Sequence, residues 1–162
     1  MGKDPTTGME LMIAGRREYH SVEGIGFLFH EAWMAEVFAL ANKPKEAVEL
    51  CQKIRELKTE SGQGSGDIHV HRALAITAAQ KSRPAWDKVD RHMQTAIQVA
   101  IDCGARPDRA ITHYRYAELL SKKGAHMQAQ EQLTEAVLQI RDMEMTWWLE
   151  QAEALGKSLG AN

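Results

Sequence analysis

Residues 84–103 read PAWDKVDRHMQTAIQVAIDC, and residues 125–142 read AHMQAQEQLTEAVLQIRD. Both segments carry apolar side chains at positions i, i+4, i+7, i+8 and i+11, which is the spacing of one face of an α-helix. These positions are Val89, Met93, Ala96, Ile97 and Ala100 in the first segment, and Ala129, Leu133, Ala136, Val137 and Ile140 in the second. The two sets begin 40 residues apart. The chain therefore contains a repeated amphipathic helix.

A third, partial copy of this helix follows Pro44, where the matching positions are Ala47, Cys51 and Ile54. A second series runs through the segments that precede the repeated helices. Its members are small residues spaced 40 and 42 positions apart: Ala35, Ala75 and Ala117. Two helices thus recur in each repeat, and the small residue lets the members of a pair approach each other closely.

Prolines and glycines mark where the helices begin and end. Pro44, Pro84 and Pro107 lie near predicted starts, and Gly104 and Gly124 lie where a left-handed residue would end a helix. No segment alternates apolar and polar residues as a strand would, so we predict an all-α protein. The predicted helices span 6–20, 25–41, 44–59, 67–81, 84–103, 107–123, 125–142 and 146–158.

We interpret residues 1–162 as one domain with a single flexible linker, Thr59–Gly66, which is polar and rich in glycine. The domain divides into a half repeat, three full repeats and a capping helix: 6–20, 25–60, 67–103, 107–142 and 146–158.

Composition excludes several classes of protein. The chain has 20 basic and 22 acidic residues, a net charge of −2, and 44% hydrophobic residues. This balance is typical of a folded domain and gives no support to nucleic-acid binding. No apolar run approaches the roughly 18 residues of a membrane span, and the first residues lack the apolar core of a signal peptide. We therefore expect a cytoplasmic protein that does not associate with membranes.

The repeats resemble the tetratricopeptide-repeat family. Gly124 and the run Ala129, Leu133 and Ala136 match the glycine and the Ala–bulky–Ala pattern of its second helix, while Ala117 occupies the small position of the first helix. The period departs from the family, because it is 40–42 rather than 34, and no consensus proline closes the repeats.

A narrower similarity is to the C-terminal helical arrays of bacterial signalling proteins that carry ATPase and nucleotide-cyclase modules. It rests on two stretches, VHRALA at 70–75 and MEMTWWLEQAE at 143–153.

The resemblance implies a right-handed superhelical solenoid of antiparallel helix pairs, with a groove lined by the first helix of each pair. It also implies a non-enzymatic module that binds a peptide or helix of another protein. Carried over by position, the groove residues are Phe29, Glu36, His69, Arg72, Ile76, Tyr114, Glu118, Lys122 and Leu149. Phe29 and Tyr114 would supply apolar surface, and Arg72 and Lys122 would select an acidic partner. The alternative is a regulatory domain that senses a small molecule in the same groove and acts on an attached or associated signalling enzyme.

Signals for catalysis or for a cofactor are weak. The chain has no phosphate-binding loop, no Gly-x-Ser-x-Gly and no His-Glu-x-x-His. His69 and His71 would point to different sides of a helix, whereas His71 and His113 occupy equivalent positions and could approach each other. We expect these histidines to be structural, and we predict no metal and no cofactor. Cys51 falls at a core position, and Cys103 falls at a more accessible helix end.

The ends of the array suggest self-association. Met9 and Met12 lie on the predicted half repeat, and Met143 and Met145 lie near the other end. A half repeat can leave apolar surface uncovered, and methionine suits an adaptable contact. The sequence therefore suggests a possible homodimer through a terminal half repeat.

Overall fold

The computed structural model describes residues 25–58 and 64–160, and within those ranges the chain is all-α. Seven helices follow one another: α1 (Ile25–Leu40), α2 (Pro44–Leu57), α3 (Ser65–Ala79), α4 (Trp86–Asp102), α5 (Arg106–Lys123), α6 (His126–Asp142) and α7 (Thr146–Gly160). Their positions confirm the predicted helices from residue 25 onward, with ends shifted by no more than about two residues. The predicted helix 6–20 lies outside the described residues.

The predicted linker is too long at its C-terminal end. Residues 59–63 lie outside the described ranges, but Ser65 and Gly66 already belong to α3. The carboxylate of Asp67 fixes this start, because it accepts the backbone N–H of Gly64 at 2.8 Å and also pairs with the ammonium group of Lys58. A carboxylate in the first turn is favourable at the positive end of a helix.

Four turns between consecutive helices share one geometry. Within two residues of the end of each helix, one residue has a positive φ: 57° at Asn42, 65° at Gly104, 80° at Gly124 and 53° at Glu144. The next residue donates its N–H to the carbonyl five positions back, as Ala125 does to Leu120 at 3.0 Å. The two glycines confirm the predicted helix ends. The turn at Glu144 contains no glycine or asparagine, so the sequence gives no signal for it.

Small residues allow close contact between the helices of the core. Ala35, Ala75 and Ala117 are all 0% exposed, which confirms the small-residue series. The repeated apolar positions of α2, α4 and α6 are also buried, among them Cys51, Met93 and Leu133, apart from the half-buried Ile97 and Val137. Most of the buried residues join one continuous cluster that reaches from α1 to α7.

The contacts between helices form two kinds of neighbour pairs. Each helix packs against the next one along the chain, and α1 also contacts α3, α3 contacts α5, and α5 contacts α7. The intervening helices do not touch one another: no Cα atom of α2 lies within 8 Å of one in α4. The odd-numbered helices therefore form a continuous row, and gaps remain between the even-numbered ones.

Candidate functional site

A groove of about 440 Å³ runs along the row of odd-numbered helices, and we call it the inner groove. Helices α1, α3, α5 and α7 all contribute side chains to it. They are Phe29, Trp33, Glu36, Val37, Leu40, His69, Arg72, Asp108, Ile111, Arg115 and Trp148.

Helix α1 presents large apolar side chains to this groove. Phe29, Trp33 and Leu40 are 41%, 46% and 44% exposed, and the half-buried Val37 lies between the last two along the chain. Their spacing of four, four and three residues places them on one side of the helix. A different side of α1 carries the buried alanines of the core, so this helix is apolar on two faces. Exposed apolar patches on other proteins often coincide with interaction sites.

A network of ionic groups forms one wall of the inner groove. The guanidinium of Arg72 donates to Glu36 from Nε at 3.0 Å and lies 3.1 Å from Asp108 Oδ1. Its Nη1 also donates to the hydroxyl of Thr112 at 3.4 Å. His69 joins through Nδ1, which lies 2.8 Å from Glu36 Oε2. The network thus links α1, α3 and α5.

The charged groups of this network are buried, and they interact strongly with one another. Arg72 is 2% exposed and Glu36 is 5% exposed. Burial alone would raise the pKa of Glu36, but the charge of Arg72 and the hydrogen bond from His69 outweigh it and hold the pKa below its ordinary value. Glu36 is therefore ionised at neutral pH, and its negative charge balances the positive charge of Arg72 inside the protein.

Trp148 and a second arginine, Arg115, line the α5–α7 end of the inner groove, and the buried Tyr114 packs against Trp148. Tyr114 and Trp148 meet edge to face, with ring centroids 5.5 Å apart. The guanidinium of Arg115 lies 5.3 Å from the centroid of the Trp148 ring and donates to Glu118 at 2.8 Å. Glu118 also accepts the hydroxyl of Tyr114 at 3.1 Å. These contacts hold Trp148 in place beside the groove.

The structure brings four of the nine predicted groove residues to the inner groove: Phe29, Glu36, His69 and Arg72. The other five do not line it. Ile76 and Tyr114 are buried, Glu118 and Leu149 are half-buried, and Lys122 is exposed.

The expected role of Arg72 needs correction. Sequence reasoning made it a free cation for an acidic partner, whereas its guanidinium is already paired with Glu36 and Asp108. Lys122 does not line the groove, so Arg72 is the one predicted selecting cation that reaches it, and Arg72 is already paired.

Sequence reasoning missed most of the apolar lining, including Trp33, Leu40, Ile111 and Trp148. The available signal was in α1, where one apolar stripe carries the small residues and a second carries Phe29, Trp33, Val37 and Leu40. A helix that is apolar on two sides must cover both or leave one for a partner.

The histidines pair differently from the sequence-based expectation. His71 does not meet His113. Instead its Nδ1 lies 2.9 Å from Nδ1 of His92, and His113 pairs with Gln132 at 2.8 Å. Burial lowers the pKa of both His71 and His92, so this pair is neutral at pH 7. Among residues 25–58 and 64–160, no three His, Cys, Asp or Glu side chains come together as a metal-binding group.

The two predicted contact regions at the ends of the array have different outcomes. Met9 and Met12 lie outside the described residues. Met143 and Met145 pack against the core as half-buried side chains, and self-association stays a prediction.

No helix in the described part of the chain has both the length and the apolar character needed to cross a membrane. Comparison with known protein families, with curated proteins and with solved structures finds no match to this chain.

Proposed function

We propose that this chain is a non-enzymatic interaction module that holds a peptide or helix of a partner protein in the inner groove. The observation that carries the proposal is the exposed stripe of Phe29, Trp33 and Leu40, which faces Ile111 and Trp148 across the same groove. Large apolar and aromatic side chains in a groove are the usual anchors for a partner helix.

The proposal takes the helices as a right-handed superhelical solenoid that resembles the tetratricopeptide-repeat architecture. Three observations support this arrangement. The odd-numbered helices contact one another in chain order, the even-numbered helices contact only their sequence neighbours, and the helix-ending turns share a geometry. In this arrangement the sequence period of 40–42 residues corresponds to one helix pair of the stack.

The charges of the inner groove favour an apolar partner over an acidic one. Two carboxylates, Glu36 and Asp108, flank the single guanidinium of Arg72, and Arg115 is paired with Glu118. An incoming carboxylate would meet no unpaired cation in this wall, and desolvating it would cost free energy without compensation. Affinity would therefore come from burial of apolar surface around Trp33.

The test compares a groove residue with an exposed residue of similar exposure elsewhere. Immobilised protein captures partners from the native host, and the captured segment is then titrated by calorimetry. Trp33→Ala should weaken binding by at least about tenfold, since anchors of this type contribute more than about 1.4 kcal/mol. Ile101→Ala on α4, with Ile101 47% exposed, is the matched control and should leave the affinity within about twofold.

Two results would count against this function. One is a captured partner whose affinity is the same for Trp33→Ala and the unchanged protein. The other is an equal loss with Trp33→Ala and Ile101→Ala, since that would place the partner outside the inner groove.

A second candidate function is sensing of a small molecule in the same groove on behalf of a signalling enzyme. It is favoured by the groove volume of about 440 Å³, which falls in the range of small-molecule sites, and by the buried network of Arg72, which could orient a polar group. Native mass spectrometry of the purified protein distinguishes the two: a stoichiometric small molecule, lost in Trp33→Ala, supports sensing.

A further inference from the structure

A second cleft opens on another part of the surface, between α2 and α4. It encloses about 570 Å³ and shares no lining residue with the inner groove. Its existence follows from the packing, because α2 and α4 both rest on α3 but do not approach each other. We call it the outer cleft.

The walls of the outer cleft are apolar and well anchored. Val48 of α2 and Leu74 and Ala78 of α3 lie along it, and all three are half-buried or buried. At one end the side chain of Gln80 donates to the carbonyl of Ala39 at 2.7 Å, and Thr77 donates to the carbonyl of Leu74 at 3.0 Å. The bond from Gln80 ties the end of α3 to α1, and the bond from Thr77 lies within α3.

Three ammonium groups surround these apolar walls. Lys45 comes from α2, Lys81 follows α3, and Lys88 comes from the first turn of α4. All three are exposed, and among the described residues no carboxylate lies within 4 Å of any of their Nζ atoms. Glu49 is the single carboxylate among the lining residues.

The remaining titratable group in the cleft adds no charge at neutral pH. His92 lines one side, and burial together with the neighbouring His71 lowers its pKa to about 4. The lining thus combines three cations with one anion and an apolar floor, which gives it a local charge opposite in sign to that of the whole chain.

We propose that the outer cleft binds a small amphipathic anion, meaning an apolar body that carries one carboxylate, sulfonate or phosphate group. The apolar body would lie on Val48 and Leu74, and the anionic group would lie among Lys45, Lys81 and Lys88. Neither half suffices alone: exposed lysines bind anions weakly in water, whereas burial beside an apolar surface strengthens their attraction. The volume is in the range of small-molecule sites.

The experiment uses two fluorescent probes of similar shape. One is 8-anilinonaphthalene-1-sulfonate, an aromatic body with an anionic group, and the other is its neutral analogue N-phenyl-1-naphthylamine. Each is titrated against the unchanged protein and against the double variant Lys81→Glu/Lys88→Glu. The anionic probe should bind the double variant at least about tenfold more weakly. The neutral probe should change by less than about twofold, because its apolar contacts remain.

A matched charge control separates a local site from the overall field of the protein. The double variant Lys122→Glu/Lys157→Glu changes the net charge equally, and both lysines are exposed and absent from the outer cleft. It should bind the anionic probe within about twofold of the unchanged protein. Circular dichroism confirms that each variant folds.

Several outcomes would overturn the proposal. These are no binding of the anionic probe to the unchanged protein, equal loss in the two double variants, and equal loss of the two probes in Lys81→Glu/Lys88→Glu. Amide shifts in heteronuclear NMR provide a further check, because the anionic probe should move Leu74, Thr77 and Lys81. Shifts centred on Phe29 and Trp33 would place the probe in the inner groove and contradict the assignment.

Discussion

Replacing Arg72 by methionine should destabilise the protein far more than the loss of a surface ion pair. The side chain is 2% exposed and bonds to Glu36, Asp108 and Thr112. Its removal leaves the carboxylate of Glu36 buried without its principal cation. Breaking a buried pair from one side costs about 3–5 kcal/mol, which for a chain of this length lowers the midpoint of thermal unfolding by roughly 6–20 °C.

The loss should depend on pH with a defined sign. In the unchanged protein Arg72 lowers the pKa of Glu36, so this group stabilises the fold at neutral pH and the contribution is lost as the solution becomes acidic. In Arg72→Met burial dominates and raises the pKa of Glu36 above its ordinary value. The variant then gains stability relative to the unchanged protein as pH falls through that raised pKa, because Glu36 becomes neutral.

Urea unfolding followed by circular dichroism, at about pH 7 and about pH 4, measures both effects. Arg106→Met is the matched control, because Arg106 pairs with Asp142 at side chains that are 68% and 67% exposed, and it should cost less than about 1 kcal/mol. Adding Glu36→Leu to Arg72→Met should restore part of the stability. The reasoning is refuted if Arg72→Met costs no more than Arg106→Met at neutral pH, or if its cost is the same at both pH values.

Three further predictions concern other parts of the described chain. Burial raises the pKa of the Cys51 thiol to about 12, so a thiol reagent near pH 8 should modify the native protein at the exposed Cys103, and Cys103→Ser should abolish the fast reaction. Gly124→Ala should lower the free energy of unfolding by about 1–2 kcal/mol in urea titrations, because a φ of 80° is unfavourable for alanine. Nothing lies within 4 Å of an added Cβ, so a steric clash adds nothing to this cost. Burial lowers the pKa of both His71 and His92, so stability should decline as pH falls below about 6.5, and His92→Gln should flatten that decline in urea midpoints measured across this range.

The helical framework was predictable because its signals are local and repeated. The spacing of Ala35, Ala75 and Ala117 identified the close contacts between helices, and all three residues are fully buried. Gly104 and Gly124 marked helix ends through a backbone conformation that glycine adopts without cost. The same turn at Glu144 could not be foreseen from its residue type, because glutamate rarely adopts a positive φ.

For the site, the sequence could predict which face of the fold carries it, but not how its side chains interact. Positions carried over from the repeat pattern identified Phe29, Glu36 and Arg72 as residues of the inner groove, which they line. Phe29 is exposed as predicted, but the exposure of Glu36 and Arg72 was predicted wrongly, because a helical pattern does not show whether polar side chains of neighbouring helices can reach each other. Glu36 and Arg72 lie 36 residues apart, and Arg72 and Asp108 lie the same distance apart again.

This spacing explains why the charged side chains of the inner groove pair with one another. The separation of 36 residues is shorter than the repeat period of 40–42 residues by one to two helical turns. Each polar side chain therefore contacts the next helix of the row one to two turns N-terminal to its own equivalent position. Acidic, basic and acidic groups then alternate from α1 to α5, and Arg72 pairs with a carboxylate across each of two helix–helix contacts. Because these ions are already paired, the inner groove offers a partner mainly the apolar side chains of α1, and its selectivity depends on their shape more than on the net charge of the chain.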